Sequence, residues 1–361
     1  MLIYTALLIA IGTLLILSAI SLKKISNKVI GQYVENKKLA KILSFLPLAI
    51  FAIGLFFDFV NTVIASIHLI VIILIVKLIF KVIEKISKKK ITEYLHILVG
   101  TIISVVILIY GYISAYNVVE TDYKINTSKD IGVNRFRIVQ VSDSHIGATM
   151  DGKKFTEYME EINKLEPDIV VVTGDFVDDA TTYEDMVEAS IGLGKLKTKY
   201  GVYFSYGNHD KGYYKRSYND ADIRKELAKN NVKILEDEVV DITDKIILIG
   251  RQDSQVKNRI SAQNLTSNLD KEKYMIMLDH KPDDYKNETE SNVDLVLSGH
   301  THGGQLIPIG QISLLLGIND RIYGMEKREN TTFIVNSGIS DWEIKFKTGT
   351  ISEYVVIDVE K

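Results

Sequence analysis

The 361-residue chain contains no cysteine. Disulfides, thiolate zinc sites and thiol nucleophiles are excluded, although this absence does not select a compartment. Internal repeats and low-complexity stretches are also missing. No strong excess of one charge appears in the whole chain, where 43 Lys+Arg face 46 Asp+Glu for a net charge of −3. That balance hides a division, because residues 1–116 hold 12 basic and 4 acidic residues, leaving 31 basic and 42 acidic residues after them, a net −11. The acidic second part offers no basic surface to displace counterions from a phosphate backbone, so nucleic acid is disfavoured as a partner. The length exceeds that of a usual single core, and two units are expected.

The first part is short of charge in four long stretches. Residues 2–22, 40–57, 63–83 and 94–116 are almost wholly apolar, each about long enough to cross a hydrocarbon layer of about 30 Å as a helix. The first stretch lacks the basic n-region and small-residue cleavage site of a signal peptide and is read as retained. Lys23, Lys24, Lys28, Lys37 and Lys38 lie in the first loop and Lys85, Lys88, Lys89 and Lys90 in the third, while the second has no basic residue. Basic loops face the cytoplasm. The expectation is therefore a multi-pass cell-membrane protein with the lipid bilayer as partner and everything after Tyr116 on the extracytoplasmic side. Pro47 is expected to kink the second span. His68, His96 and Lys77 are read as isolated structural residues, Lys77 with its stem reaching the interface. The region is read as an anchor, and residues 117–134 as a polar linker leading away from it.

The remaining five histidines all lie in short polar segments that follow apolar, strand-like runs. Phe136–Val141 ends in Ser142-Asp143-Ser144-His145, and a carboxylate with an imidazole is a hard-to-borderline metal pair. A helical segment, 152–165, leads to the apolar run 169–172, which reads as a strand buried on both faces and ends in Thr173-Gly174-Asp175-Phe176-Val177-Asp178. Glycine there permits a sharp turn that places Asp175 at the strand end; Asp178 reads either as a hydrogen-bond acceptor supporting the site or as a surface acid, and Asp179 as a surface acid. A second helical segment, 183–199, precedes strand 201–206 and Gly207-Asn208-His209-Asp210. Asn208 offers a neutral oxygen ligand, and His209 a proton donor that Asp210 would orient. After a helix at 222–229, strands at 245–250 and 274–278 lead to Asp279-His280, and strand 294–297 to Ser298-Gly299-His300-Thr301-His302-Gly303-Gly304-Gln305. A strand at 332–335 closes in Asn336-Ser337-Gly338, and 354–359 is the last. Clusters beyond the carboxyl ends of strands are where ligand sites form in sheets covered by helices.

The ordered set D-x-H, G-D-x-x-D, G-N-H-D, lone His and G-H-x-H resembles the calcineurin-like metallophosphoesterase family over about residues 135–361. The extended forms around Asp143 and His300 resemble its bacterial membrane-associated branch of YkuE-like phosphodiesterases. The stretch Lys347–Glu353 departs from that branch in lacking a proline before its acid, which concerns the shape of the pocket and not the ligand set. The resemblance implies an α/β fold, a four-layer αββα sandwich, here preceded by an all-α four-helix transmembrane region. It implies two divalent ions, Mn, Fe or Zn with Mn favoured, one held by Asp143, His145, Asp175 and His302 and the other by Asp175, Asn208, His280 and His300. Two such ions can polarise a phosphate and activate a bridging water. His209 is left free of metal to protonate the leaving oxygen, oriented by Asp210. Gly303 and Gly304 are expected to leave room for the phosphate.

The function so implied is a membrane-anchored, metal-dependent phosphoric ester hydrolase, foremost a phosphodiesterase. Lipid head groups, cell-wall phosphodiesters or scavenged nucleotides are candidate substrates. The alternative is a non-catalytic receptor or sensor that binds a phosphorylated ligand, a role that needs no proton donor such as His209. An anchored nuclease would share the chemistry but lacks the basic groove.

Overall fold

The computed structural model describes residues 16, 19, 20, 22–24, 26–92, 94–211 and 217–361. The chain divides into two compact units, Met1–Tyr110 and Gly111–Lys361.

In the first unit the expected span at 2–22 falls almost wholly outside the described residues. Among the described residues three stretches are long and apolar enough to cross a membrane: Lys37–Phe57, Phe59–Ser87 and Leu95–Tyr116. The first of these is broken into α1 (Lys37–Leu43) and α2 (Leu46–Phe57), with Pro47 in the opening turn of α2, where its missing N–H removes no helical hydrogen bond. Asn36 caps α1 by accepting from the N–H groups of Lys38 and Leu39. Asp58 ends α2 and caps α3 (Phe59–Ser87) by accepting from Asn61 N–H, so one short polar turn serves two helix ends. Helix α4 is Leu95–Tyr116.

The second unit holds two six-stranded mixed sheets. Residues 117–134, read from the sequence as a linker, contain strand β1 (Val118–Asn126), which pairs in parallel with β12 (Ser352–Glu360) along all nine residues. Its exposed Glu120, Asp122 and Lys124 alternate with Thr121, Tyr123 and Ile125, a pattern suited to the sheet edge it occupies. The first sheet runs β1, β12, β2 (Arg135–Val141), β3 (Ile169–Thr173), β4 (Val202–Ser205) and β5 (Val232–Ile234). The second runs β10 (Gly324–Arg328), β11 (Thr331–Val335), β9 (Leu295–Ser298), β8 (Tyr274–Leu278), β7 (Ile246–Gly250) and β6 (Glu238–Asp241).

Strand periodicity builds the layers. Ile138, Ile169 and Val171 of the first sheet pack with Leu248, Ile276 and Leu297 of the second in one core between the sheets. The intervening residues Val139, Val170 and Val172 turn outward onto α5 (Gly152–Asn163), α6 (Tyr183–Gly194) and α7 (Asp220–Lys229). On the other side Ile247, Met275 and Met277 pack with Ala262 of α8 (Ala262–Thr266) and Tyr285 of α9 (Tyr285–Glu290). This is a four-layer αββα sandwich. Because β2, β3 and β4 are mutually parallel, as are β8, β9 and β11, their carboxyl ends gather at one edge of each sheet. Buried Gln140 ties the two edges together, its Nε2 donating to Thr173 Oγ1 and Ser298 O, both at 2.9 Å.

Candidate metal centre

The loops leaving these strand ends are held by one another's polar groups. Asp143 N–H donates to Gly174 O at 3.0 Å, His145 N–H to Asp175 O at 3.0 Å, and Gly299 N–H to His280 O at 2.9 Å. The Asp143 carboxylate accepts from His300 N–H at 2.9 and 3.0 Å, and Asp175 Oδ1 accepts from His209 N–H at 2.8 Å. Such crossing needs glycine. A Cβ on Gly299 would lie 2.2 Å from Asp143 Oδ2, and one on Gly174, where φ is +78°, 2.6 Å from His280 Nδ1. The candidate ligand positions bend the same way: Asp143, His145, Asp175, His300 and His302 all have φ between 35° and 69°, a region sparsely occupied by residues other than glycine.

Every residue singled out from the sequence comes to this edge. One ligand atom each from Asp143, His145 and His302 lie within 4.8 Å of one another, and the same holds for Asp175, His280 and His300. Asp175 Oδ2 sits between the groups, 3.6 Å from His145 Nε2 and 3.1 Å from His280 Nε2. Asn208 is buried next to Gly207, whose own Cβ would meet Asp175 Oδ1 at 2.2 Å. His209 stands at the rim of a cavity of about 300 Å³ lined also by Asp175, Asp178, His300, His302 and Trp342.

Ring orientation follows from the outer nitrogens. His280 Nδ1 is 2.8 Å from Thr173 O, His145 Nδ1 is 3.3 Å from Asp178 Oδ2, and His302 Nδ1 is 3.2 Å from Asp341 Oδ1. The contacts of His280 and His302 place the N–H on Nδ1 and leave the Nε2 lone pair facing inward, as metal-ligating histidines require, while His145 Nδ1 faces the Asp178 carboxylate without a hydrogen bond. The Nε2 atoms of His145 and His302 are 3.2 Å apart. Asn208 Oδ1 and His300 Nδ1 are buried with no hydrogen-bond partner among the described residues, a costly state for polar atoms that a cation would relieve. The nitrogen and oxygen donor set with these orphaned atoms fits divalent metal ions.

The electrostatics centre on Asp175. Burial pushes its carboxyl up, but the imidazoles of His280, His145 and His209 outweigh burial and hold it well below the usual carboxylate range. Burial works against a charged His280, yet Asp175 raises that imidazole well above 6.5, while burial and the nearby His280 push His300 down to about 3. Asp210 reaches backbone groups of the neighbouring loops. Its carboxylate accepts from the N–H groups of Phe176, Val177 and Gly207 at 2.9–3.2 Å, fixing the loops of Asp175 and Asn208, and burial beside Asp175 pushes it up to about 6. A ring partner is Asp178, whose Oδ1 is 3.2 Å from His209 Nδ1.

Gly303 has a different role from the one expected. A Cβ there would lie 2.2 Å from Thr350 Oγ1, and one on Gly304 2.9 Å from Gly310 Cα, so protein and not a phosphate fills the space. Sequence reasoning missed Asp341 and Lys347, a fully buried ammonium 3.0 Å from Asp341 Oδ1. Neither sits in a motif; their only signal is a charged pair in a segment between two strands.

Residues 136–304 match the calcineurin-like phosphoesterase family. A metallophosphoesterase of Aquifex aeolicus is 33% identical over 59% of this chain and 81% of its own. The chain belongs to the calcineurin-like metallophosphoesterase family. Other members are similar: the YkuE metallophosphoesterase of Bacillus subtilis is 28% identical over 64% of this chain and 82% of its own. A Danio rerio transmembrane protein with a metallophosphoesterase domain is 28% identical over 71% of this chain, which spans 61% of that relative's length. Metallophosphoesterases of this family use dinuclear divalent metals, in keeping with the paired side-chain groups here.

Proposed function

We propose that the protein is a membrane-anchored phosphodiesterase in which Asp143, His145, Asp175 and His302 hold one divalent ion and Asp175, Asn208, His280 and His300 the second. The carrying observation is the position of Asp175 Oδ2 between two groups of inward-facing side chains. When bound, such a pair of ions supplies Lewis-acid polarisation of the phosphoester and lowers the pKa of water. The chain's residues do the remainder. Asp178 accepts from His209 Nδ1 and leaves Nε2 as the atom that delivers a proton to the leaving oxygen. Burial depresses the His209 pKa, but the hydrogen bond to Asp178 and the charges of Asp175, Asp178 and Asp210 outweigh it and raise it above 6.5, which widens the pH range over which the imidazolium can donate. Asp179 and Glu343 also line the cavity, and their charge is the ground on which we favour singly charged diesters over more highly charged monoesters. Manganese is the ion we assign, and the basic loops support an extracytoplasmic site.

Hydrolysis of bis(p-nitrophenyl) phosphate by the purified chain with added Mn tests the reading. His209→Asn is expected to abolish turnover while metal content and melting temperature stay unchanged. No hydrolysis of mono- or diesters by metal-loaded protein would refute the proposal, and an active His209→Asn variant would remove its proton donor. Sidedness is tested with an impermeant thiol reagent on intact cells, using a single cysteine at Lys271; absence of labelling would reverse the topology.

A further inference from the structure

Between the loop that carries His300 and His302 and strand β10, residues 306–318 contain no charged side chain. They include α10 (Ile309–Leu315), and here Ile307, Ile309, Ile312, Leu315, Leu316 and Ile318 are 47–86% exposed. Elsewhere after Tyr116, the exposed large apolar side chains among the described residues are scattered and at most 43% exposed. A continuous apolar surface of this kind on an otherwise acidic domain marks an interaction face.

Its neighbours identify what covers it. Ile307 N–H donates to Thr348 Oγ1 at 3.0 Å, Thr348 N–H to Gln305 O at 2.9 Å, and Lys347 N–H to Gly111 O at 2.9 Å. A Cβ on Gly111 would lie 3.1 Å from Thr348 Cγ2. Thr348 thus stands between the apolar face and the last turns of α4. That helix has 22 residues, about the number needed to cross the hydrocarbon layer once, so Gly111 lies close to the level at which the chain leaves the bilayer. Tyr112 and Ile113, on the same turn, are themselves 48% and 55% exposed. The metal centre adjoins this face directly, since His302–Gly304 forms the turn that enters it.

We propose that residues 306–318 seat on the lipid bilayer from which α4 emerges, and that the site acts on phosphoesters of membrane-embedded lipids. Two or more apolar side chains entering the interface anchor a segment in the manner of an amphipathic surface helix. They hold the mouth of the cavity at head-group level. The lipid substrate rests on the phosphoesterase reading above; the seating does not.

The absence of native cysteine permits a direct test. Full-length Leu315→Cys protein, labelled with an environment-sensitive fluorophore and reconstituted in nanodiscs of phosphatidylglycerol and phosphatidylcholine, is expected to show a blue-shifted emission, while Lys271→Cys, exposed at the opposite edge of the second sheet, does not. An unshifted signal at 315 overturns the seating. So does a shift seen with two copies per nanodisc but absent with one, which identifies a second copy as the occupant. In the second arm, Leu315→Asp/Leu316→Asp is expected to lower hydrolysis of a fluorescent phosphatidylglycerol in nanodiscs by about tenfold or more with bis(p-nitrophenyl) phosphate hydrolysis unchanged. Equal rates on the lipid overturn the substrate assignment, as does an equal loss on both esters. Inactivity of the parent chain on every ester refutes the phosphoesterase reading while the fluorescence still decides the seating.

Discussion

Replacing Lys347 by methionine should expose how the metal centre is held from behind. Its ammonium donates to Ser337 O at 2.7 Å and Ser352 Oγ at 3.3 Å and lies 3.0 Å from Asp341 Oδ1, which itself contacts His302 Nδ1. Lys347→Met keeps the shape of the stem but strands a buried carboxylate, a loss of about 3–5 kcal/mol. For a unit of this size each kcal/mol shifts the melting temperature by roughly 2–4 °C, so a fall of roughly 6–20 °C is expected in metal-free protein, followed through the sole tryptophan, Trp342, beside Asp341. Burial pushes Asp341 up, but Lys347 and the His302 contact hold it below the usual range. Its native ionisation therefore stabilises the fold above about pH 4 and is lost as pH falls through the lower folded value. Without Lys347 burial dominates, and the variant's penalty instead fades on acidification. The gap between the two proteins should narrow from pH 7 toward pH 4, and Lys347→Met/Asp341→Asn should recover most of it while metal affinity stays reduced about 10–100-fold because a neutral amide oxygen replaces the carboxylate behind His302. A variant that melts within about 3 °C of the parent, or a gap independent of pH, would refute the reasoning.

Asp178→Asn weakens the contacts to both His145 and His209; turnover should fall about 10²–10⁴-fold with the fold intact by circular dichroism. Gly303→Ala forces a Cβ against Thr350 at a position with φ of +62° and should cost about 1–3 kcal/mol, measured by thermal unfolding, with partial recovery in Gly303→Ala/Thr350→Gly. Arg137 grips Asp358 through Nε and Nη2 at 2.8 and 2.7 Å, and that hydrogen bonding outweighs burial to lower the Asp358 pKa. Asp358→Asn should therefore destabilise the protein at neutral pH, and the difference should disappear as pH falls below about 4.

The buried strands are readable because Val, Ile and Leu run continuously through 169–172, 246–249 and 295–297, and each run is followed within two residues by a glycine. The same stops expose the site, since a parallel sheet gathers its carboxyl ends. Strand β1 escaped because an edge strand can be half polar: Glu120, Asp122 and Lys124 make it read as a solvated linker. Strands β5, β6 and β10 are likewise short edges. Adjacency in sequence points from His209 to Asp210, whose carboxylate accepts from Gly207, Phe176 and Val177 N–H, whereas the Asp178 contact with the ring depends on the loop after β3 and has no signal beside His209. Asp341 and Lys347 depend on burial, which a charged pair does not announce in sequence. The apolar residues of 306–318 were visible as letters, but a buried helix and an uncovered one have the same composition.

The left-handed backbone at Asp143, His145, Asp175, His300 and His302 has a consequence for how the protein can change. At about 1 kcal/mol each, these five positions oppose folding by an amount on the order of 5 kcal/mol, comparable to the net stability of many domains. Local preference and global fold are in conflict at these strand ends. Glycine at these positions would remove the strain. With aspartate and histidine at these positions the strand-end edge is frustrated, and on the proposed reading the binding of two cations there would offset that cost.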